Sequence, residues 1–226
     1  MSFVTIFENV IKVLQRYGML FVEGTIVTLE YSAVAVAGGV VFGLLLALMR
    51  KSKFKPISFV ASAYIEFVRG TPILLQLYFF YFWVAEQIPF LEEHKFWQIA
   101  LALICNSAAY VSEIFRAGIE AVDHGQMEAA RCLGLSESQA MFKVIIPQAV
   151  KNILPALCNE FIMMIKETSL ASTFFGEEVM TRYKTINGAT YLVIEPLIII
   201  AIIYFVLTFT LSKLVAVIER RMSTGD

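Results

Sequence analysis

Five predominantly apolar stretches recur along the chain, separated by shorter polar segments. They cover residues 24–49, 57–84, 96–119, 153–175 and 196–217. Each has at least about the 20 residues that an α-helix needs to cross a hydrocarbon core roughly 30 Å thick. The pattern therefore predicts an all-α integral membrane protein with five transmembrane helices.

The first 20 residues show a different pattern, in which apolar and polar side chains take opposite faces of one helix. The apolar face comprises Phe3, Ile6, Phe7, Val10, Val13, Leu14 and Tyr17. An amphipathic helix of this kind is typical of a segment lying along the membrane interface. An ordinary surface helix packed against the bundle has the same pattern, so both interpretations stay open. The prediction for residues 1–20 is an external amphipathic helix.

Residues 123–151 form the one long polar interruption, and their turn signals predict two short helices. Gly134 suits the left-handed residue that ends a first helix. Ser136 followed by Gln139 is typical of a capping box that begins a second helix. Pro147 is expected to end that second helix. A helix–turn–helix of this kind would form a compact knob on one face of the membrane.

Basic residues are concentrated in three of the segments that border the spans. They are Arg50, Lys51, Lys53 and Lys55 after the first span, Arg131, Lys143 and Lys151 before the fourth, and Lys213, Arg220 and Arg221 at the end. With five spans these segments share one side of the membrane. Because excess Lys and Arg marks the cytoplasmic side, we expect an external N-terminus and a cytoplasmic C-terminus.

Composition excludes several other classes of protein. Apolar residues make up 58% of the 226 and charged residues only 16%, with a net charge of −1. A soluble domain carries roughly 25% charged residues, and a nucleic-acid-binding domain is usually basic. Cys105, Cys132 and Cys158 have no spacing typical of a disulfide framework, and His94 and His124 are too isolated to predict a metal site.

Polar side chains inside predicted spans are candidates for function, because charges are costly there. Asn106, Tyr110 and Glu113 share one face of the third span. Asn106 lies about 15 Å from the external start of that span at 1.5 Å per residue. This depth is near the midplane, where transporters usually hold their substrates.

The fourth span has a second polar face. Glu160, Met164 and Glu167 follow the same i, i+4, i+7 spacing, and Glu160 lies about 10 Å from the cytoplasmic start. Two polar faces meeting at the midplane would line a pocket for a zwitterion. Glu160 would pair with an ammonium group, and Lys166 would attract a carboxylate.

Structural roles explain the same residues equally well. Glu66 and Arg69, three residues apart, would form an ion pair on one helix. Lys166 would pair with Glu160 or with a neighbouring span. Asn106 would form a hydrogen bond between helices. Gly39 and Gly43 form a G-x-x-x-G pattern, which we interpret as close helix packing.

Three motifs give the chain a family resemblance. They are Glu128-Ala129-Ala130 with Gly134 and Val144-Ile145-Ile146-Pro147; Glu66-Phe67-Val68-Arg69-Gly70-Thr71-Pro72; and Asn159-Glu160-Phe161 with Lys166-Glu167-Thr168-Ser169-Leu170. The first resembles the EAA loop of ATP-binding-cassette importer permeases, with Val144 and Ile146 as conservative departures. The other two resemble signatures of the polar amino-acid subfamily. Together they lie between residues 66 and 170, in the subfamily's order.

The resemblance implies that the chain works with other protein subunits, each with its own role. Such permeases work as homo- or heterodimers with two cytoplasmic ATPase subunits, which hold ATP and Mg²⁺, while an external solute-binding protein delivers the substrate. The chain lacks a G-x-x-x-x-G-K-[ST] motif and is expected to be neither an enzyme nor a holder of a cofactor. The resemblance places the chain in a bacterial inner membrane and makes residues 123–151 the coupling loop.

The candidate residues follow from these patterns and the resemblance. The candidate substrate path comprises Asn106, Ser107, Tyr110, Glu160, Met164, Lys166, Glu167 and Ser169. The candidate ATPase-coupling residues are Glu128, Ala129, Ala130, Gly134 and Pro147. No metal site is expected. The acidic residues of the fourth span favour a polar or cationic amino acid as substrate.

Two other classes of function remain as alternatives. An ion-coupled secondary transporter or channel would work without an ATPase partner, but no inverted repeat is visible in the sequence. A membrane-embedded enzyme would need a metal or nucleophile constellation, which two isolated histidines do not supply. The sequence leaves open which amino acid is carried and whether the dimer is formed with a second copy.

Overall fold

The structure is a computed structural model that describes residues 3–223, and α-helix accounts for most of them. The α-helices are α1 (Phe3–Arg50), α2 (Lys55–Gly70), α3 (Ile73–Phe79), α4 (Ala85–Gln87), α5 (Pro89–Glu93), α6 (Lys95–Glu120), α7 (His124–Cys132), α8 (Glu137–Ala140), α9 (Ile146–Glu167), α10 (Val179–Thr190) and α11 (Ile194–Ser223). Two π-helical stretches, Phe80–Val84 and Met141–Ile145, and a 3₁₀-helix, Thr168–Phe174, link some of them.

Four helical segments within residues 3–223 are long and apolar enough to cross a membrane. They are Phe3–Arg50, Lys95–Glu120, Glu137–Phe174 and Ile194–Met222. These segments contain the first, third, fourth and fifth predicted spans almost entirely, so the all-helical membrane architecture is confirmed at this level. The count of five spans stays a prediction.

The predicted second span is divided into α2 and α3. The break lies at Thr71 and Pro72, where Thr71 has an extended backbone (φ −118°, ψ 145°). A residue before proline is pushed out of the helical region by the proline ring, so α2 ends here. Pro72 then precedes α3, where its missing N–H costs no helical hydrogen bond.

Helix α1 covers both the predicted external helix and the first predicted span without interruption. Val13 and Phe21 are buried, and they pack in one apolar cluster with Ile199 and Ile200 of α11. Phe3 and Phe7 on the outer side remain exposed. The packing of Val13 favours a helix docked on the bundle. The external position of this segment stays a prediction, and residues 1–2 lie outside the described part of the chain.

Close contact between α1 and α6 forms the centre of the molecule. A Cβ added to Gly39 would lie 2.5 Å from Ser107 Oγ, and one added to Gly43 would lie 2.9 Å from the backbone oxygen of Ala108. No side chain fits at either position without displacing α6. The G-x-x-x-G interpretation is therefore confirmed as helix packing.

The two short helices predicted for the polar loop are present as α7 and α8. Gly134 between them has φ +85°, and Ser136 and Gln139 exchange both hydrogen bonds of a capping box. The prediction that Pro147 ends the second helix is wrong. The helical path continues through the π-helical stretch into α9, and Pro147 is the second residue of α9. A proline is tolerated there because the wider turn already interrupts the α-helical hydrogen-bond ladder.

Candidate functional site: a polar cavity between α6 and α9

A cavity of about 550 Å³ opens between α6 and α9 and reaches the end of α2. Tyr110 and Glu113 of α6, Glu160 of α9 and Arg69 of α2 all line it. The structure therefore brings together polar faces that the sequence placed on two different helices. A cavity with a carboxylate, a phenol and a guanidinium group in its wall has the chemistry to hold a small zwitterion.

Glu160 is half-buried and hydrogen-bonded from α6. Ser107 Oγ donates to Glu160 Oε1 at 3.0 Å, and Ser107 itself is fully buried. Ser107 is held in place because Gly39 of α1 packs directly against it. The bond fixes one carboxylate oxygen, while Glu160 still forms part of the cavity wall.

Lys166 is not the partner of Glu160 in the structure. Six residues on a helix turn through 600°, so the two side chains point about 120° apart. Lys166 is exposed, and neither residue forms an ion pair among residues 3–223. The structural alternative that paired them is therefore wrong.

Asn106 connects α6 to the break between α2 and α3. Its Nδ2 donates to Gln76 Oε1 at 3.1 Å. Gln76 Nε2 in turn donates to the backbone oxygens of Val68 (2.8 Å) and Thr71 (3.2 Å). These carbonyls have lost their helical partners at the break, and Gln76 satisfies them. The expected interhelical hydrogen bond of Asn106 is thus present, with Gln76 as its partner.

Glu113 holds three arginines from three helices at one side of the cavity. Arg50 of α1 donates to Glu113 Oε1, while Arg69 Nη1 lies 3.4 Å and Arg116 Nη2 lies 2.8 Å from Oε2. The side chain of Glu113 is only 15% exposed, whereas the arginines are 32–42% exposed. Arg116 also pairs with Glu120. The predicted ion pair of Arg69 with Glu66 is replaced by this cluster.

Tyr110 is linked to the same cluster through its ring. The guanidinium carbon of Arg69 lies 5.7 Å from the ring centroid of Tyr110, within cation–π distance. Farther along, α6 and α9 approach each other at Gly118, where an added Cβ would lie 2.3 Å from Ile153. Asn152 Nδ2 donates to the backbone oxygen of Gly118 at 3.4 Å. This contact holds the two walls of the cavity together.

The remaining predicted path residues lie away from this cavity wall. Met164 is 1% exposed and packs in the apolar core with Tyr31 and Leu103. Glu167 is half-buried, and Ser169 Oγ donates to the backbone oxygen of Lys166 at 2.6 Å. Their role in a substrate path stays a prediction.

Sequence reasoning missed Gln76, Asn152 and Arg116 as parts of this site. Gln76 is a polar residue within an apolar run, four positions after a proline, and this signal was available. Arg116 follows Glu113 by three residues on one helix face, which predicts an ion pair. Asn152 carries no local signal, because its partner Gly118 is 34 positions away.

The residues of the predicted coupling loop present an exposed apolar surface. Leu133 is 84% and Phe142 is 70% exposed. Glu128, Ala129 and Pro147 are also exposed, whereas Ala130 is buried. Two large apolar side chains of this segment are therefore exposed, one of them directly before the left-handed Gly134.

The chain matches known proteins along most of its length. The model of the family described as "Binding-protein-dependent transport system inner membrane component" matches residues 39–224. The chain is 41% identical over 204 residues to the arginine transport system permease protein ArtQ of Bacillus subtilis (strain 168), covering 90% of this chain and 93% of the relative. It is 40% identical over 219 residues to the putative glutamine transport system permease protein GlnP of Rickettsia bellii (strain RML369-C), covering 96% and 98%.

Solved structures have the same fold. A crystal structure of an amino acid ABC transporter with histidines matches with a TM-score of 0.87 and 47% identity, covering 98% of this chain and 99% of that one. An inward-facing form of the MetNI methionine ABC transporter matches with a TM-score of 0.66, covering 90% and 98%. At 17% identity, this second likeness shows the fold alone.

Proposed function

Because the chain belongs to the family of binding-protein-dependent transport system inner membrane components, we propose that it forms the translocation path for a polar or cationic amino acid. The family resemblance predicted from the three motifs is confirmed. The chain is a multi-pass inner-membrane permease subunit of an ATP-binding-cassette importer. Relatives named for arginine and glutamine transport support the choice of substrate class.

The supporting observation in the structure is Glu160 in the wall of the cavity between α6 and α9. A carboxylate that accepts one hydrogen bond from Ser107 keeps further lone pairs for a substrate ammonium group. Arg69, in the same wall, has the charge to attract the substrate carboxylate. We assign the candidate path to Glu160 and Tyr110 first, with Asn106 and Ser107 supporting them.

We further propose five spans with an external N-terminus and a cytoplasmic C-terminus. Residues 55–84 contain α2, α3 and a π-helical stretch, and the broken helix is long enough to cross. A break inside a membrane helix is tolerated where side chains satisfy the freed backbone groups. Gln76 does so for Val68 and Thr71, and Thr71 Oγ1 donates to the backbone oxygen of Phe67.

Residues 123–151 are proposed as the cytoplasmic loop that binds a separate ATPase subunit. The exposed surface of Glu128, Ala129, Leu133 and Phe142 would fit a cleft in that partner. ATP and Mg²⁺ would be held by the ATPase, so this chain would not hydrolyse ATP. The permease would work as a homo- or heterodimer, and an external solute-binding protein would deliver the substrate. The likeness to importer permeases supports this arrangement over an ion-coupled transporter or channel.

Replacing Gly134 by valine tests the coupling role of the loop. Gly134 has φ +85°, which costs a β-branched residue about 1–2 kcal/mol. We expect pull-down of the ATPase subunit and ATP-driven uptake to fall together, while the protein still reaches the membrane. Gly188→Val is the matched control, because Gly188 lies in α10 with open space around it and no left-handed backbone. Normal ATPase binding and uptake in Gly134→Val would exclude the loop from coupling.

A further inference from the structure

A second cavity, of about 290 Å³, lies between the ends of α1 and α6. Leu44 and Leu48 line it towards the middle of α1, and Lys51 lines it at the end of that helix. Arg50 and Arg116 also form part of the wall. The cavity is therefore apolar at one end and strongly basic at the other, unlike the polar cavity between α6 and α9.

The cavity extends from the apolar side of α1 to the basic end of that helix. Leu44 and Lys51 are separated by about 10 Å along the helix at 1.5 Å per residue. Leu44 and Leu48 are 45% and 60% exposed, so they face the hydrocarbon in a spanning α1. Lys51 immediately follows the last residue of α1, so in a spanning α1 its ammonium group would lie near the lipid headgroups.

The basic end carries more positive charge than its acidic neighbours compensate. Arg50 and Arg116 share Glu113, and Arg116 also pairs with Glu120. Lys51 is exposed and forms no ion pair within the described residues 3–223. Three cations against two carboxylates leave a net positive charge, which complements an anion.

The inner wall is closed by the tight contact of α1 with α6 at Gly43. The hydroxyl of Ser112 is buried beside Gly43. Within the part of the chain that the structure describes, it neither accepts nor donates a hydrogen bond. The apolar groove and the basic mouth match two parts of an anionic phospholipid, its acyl chain and its phosphate.

We propose that this cavity binds one anionic phospholipid, with its phosphate at Lys51 and an acyl chain along Leu44 and Leu48. Basic pockets between membrane helices recognise anionic headgroups through the same combination of charge and apolar surface. The two cavities share Arg116 in their walls, whereas Lys51 lines only this one. The lipid would anchor the junction of α1 and α6, whose ends carry the arginines around Glu113.

Lipid retention by the purified full-length chain tests the proposal. Native mass spectrometry in detergent would count adducts of dioleoylphosphatidylglycerol, which is anionic, and of dioleoylphosphatidylcholine, which is zwitterionic. We expect one tightly retained phosphatidylglycerol per chain and a weaker phosphatidylcholine adduct. Lys51→Gln should weaken phosphatidylglycerol binding about fivefold, equivalent to the roughly 1 kcal/mol contributed by one basic residue near a membrane surface.

Lys53→Gln is the matched control, because Lys53 has the same charge two residues away and lies outside the cavity wall. Equal weakening by both changes would overturn the proposal in favour of general attraction to the surface. Retention of both lipids alike would also overturn it. If added inorganic phosphate displaces phosphatidylglycerol as effectively as added phosphatidylglycerol does, the proposal is overturned in favour of a site for free anions. A second variant, Ala47→Phe, keeps Lys51 but fills the apolar part of the cavity. It should also reduce the retention of phosphatidylglycerol.

Discussion

Replacing Glu160 by glutamine removes one negative charge from the cavity wall and keeps the shape of the side chain. The glutamine oxygen still accepts a hydrogen bond from Ser107, which lies 3.0 Å from Glu160 Oε1. Lys166 is not paired with Glu160, so the change leaves no buried cation without a partner. We therefore expect membrane abundance near that of the wild type.

The expected loss of transport follows from the strength of a charged hydrogen bond. Two unit charges 4 Å apart attract by about 4 kcal/mol at an effective dielectric of about 20, before desolvation is subtracted. Net hydrogen bonds to charged groups contribute about 1.5–3 kcal/mol. Loss of this interaction corresponds to a decrease of about 10- to 150-fold in kcat/KM. The decrease applies to a substrate whose ammonium group binds Glu160.

Initial uptake rates in proteoliposomes, measured over a range of substrate concentrations, give this ratio. Glu30→Gln is the matched control, because it changes the same residue type at an exposed position of α1, outside the cavity wall and outside the candidate path. Unchanged transport in Glu160→Gln would remove this carboxylate from the substrate path. An equal decrease in both variants would show that the effect does not depend on the cavity.

Two further predictions concern the arginine cluster and the topology. Glu113→Gln removes three partly exposed ion pairs worth about 0.2–1 kcal/mol each, whereas Glu120→Gln removes one. The midpoint temperature of thermal unfolding in detergent should therefore be clearly lower for Glu113→Gln than for Glu120→Gln. Because salt screens such pairs, the difference should shrink at high ionic strength, and a difference independent of salt would contradict the reasoning. In a background without the native cysteines, a cysteine replacing Glu92 should react with an impermeant thiol reagent from outside, and one replacing Ser138 should not. Labelling at Ser138 from outside would overturn the five-span topology.

Local signals in the sequence account for much of the fold. The apolar runs predict both ends of α6 to within one residue and the start of α11 to within two, whereas α11 continues six residues past its predicted end to Ser223. Gly134 and the Ser136–Gln139 pair predict the turn and the capping box, because both depend on backbone groups only a few residues away. The packing of Gly39 and Gly43 also follows from their spacing alone.

Other features depend on contacts between distant residues, and spacing does not encode them. Glu160 is bonded to Ser107 across 53 positions, and Arg69 is paired with Glu113 across 44. In each case the sequence suggested a partner on the same helix, whereas the structure shows a partner on another helix. The passage of the helix through Pro147 was also missed, because the π-helical stretch before it has no distinct sequence signature.

ATP-dependent uptake in a reconstituted system tests the central claim most directly. The full chain would be placed in proteoliposomes with its ATPase subunit and solute-binding protein, and accumulation of radiolabelled arginine and glutamine would be followed. We predict accumulation of a polar or cationic amino acid that requires ATP, the ATPase and the binding protein together. Accumulation without the ATPase, driven by an ion gradient alone, would contradict this account.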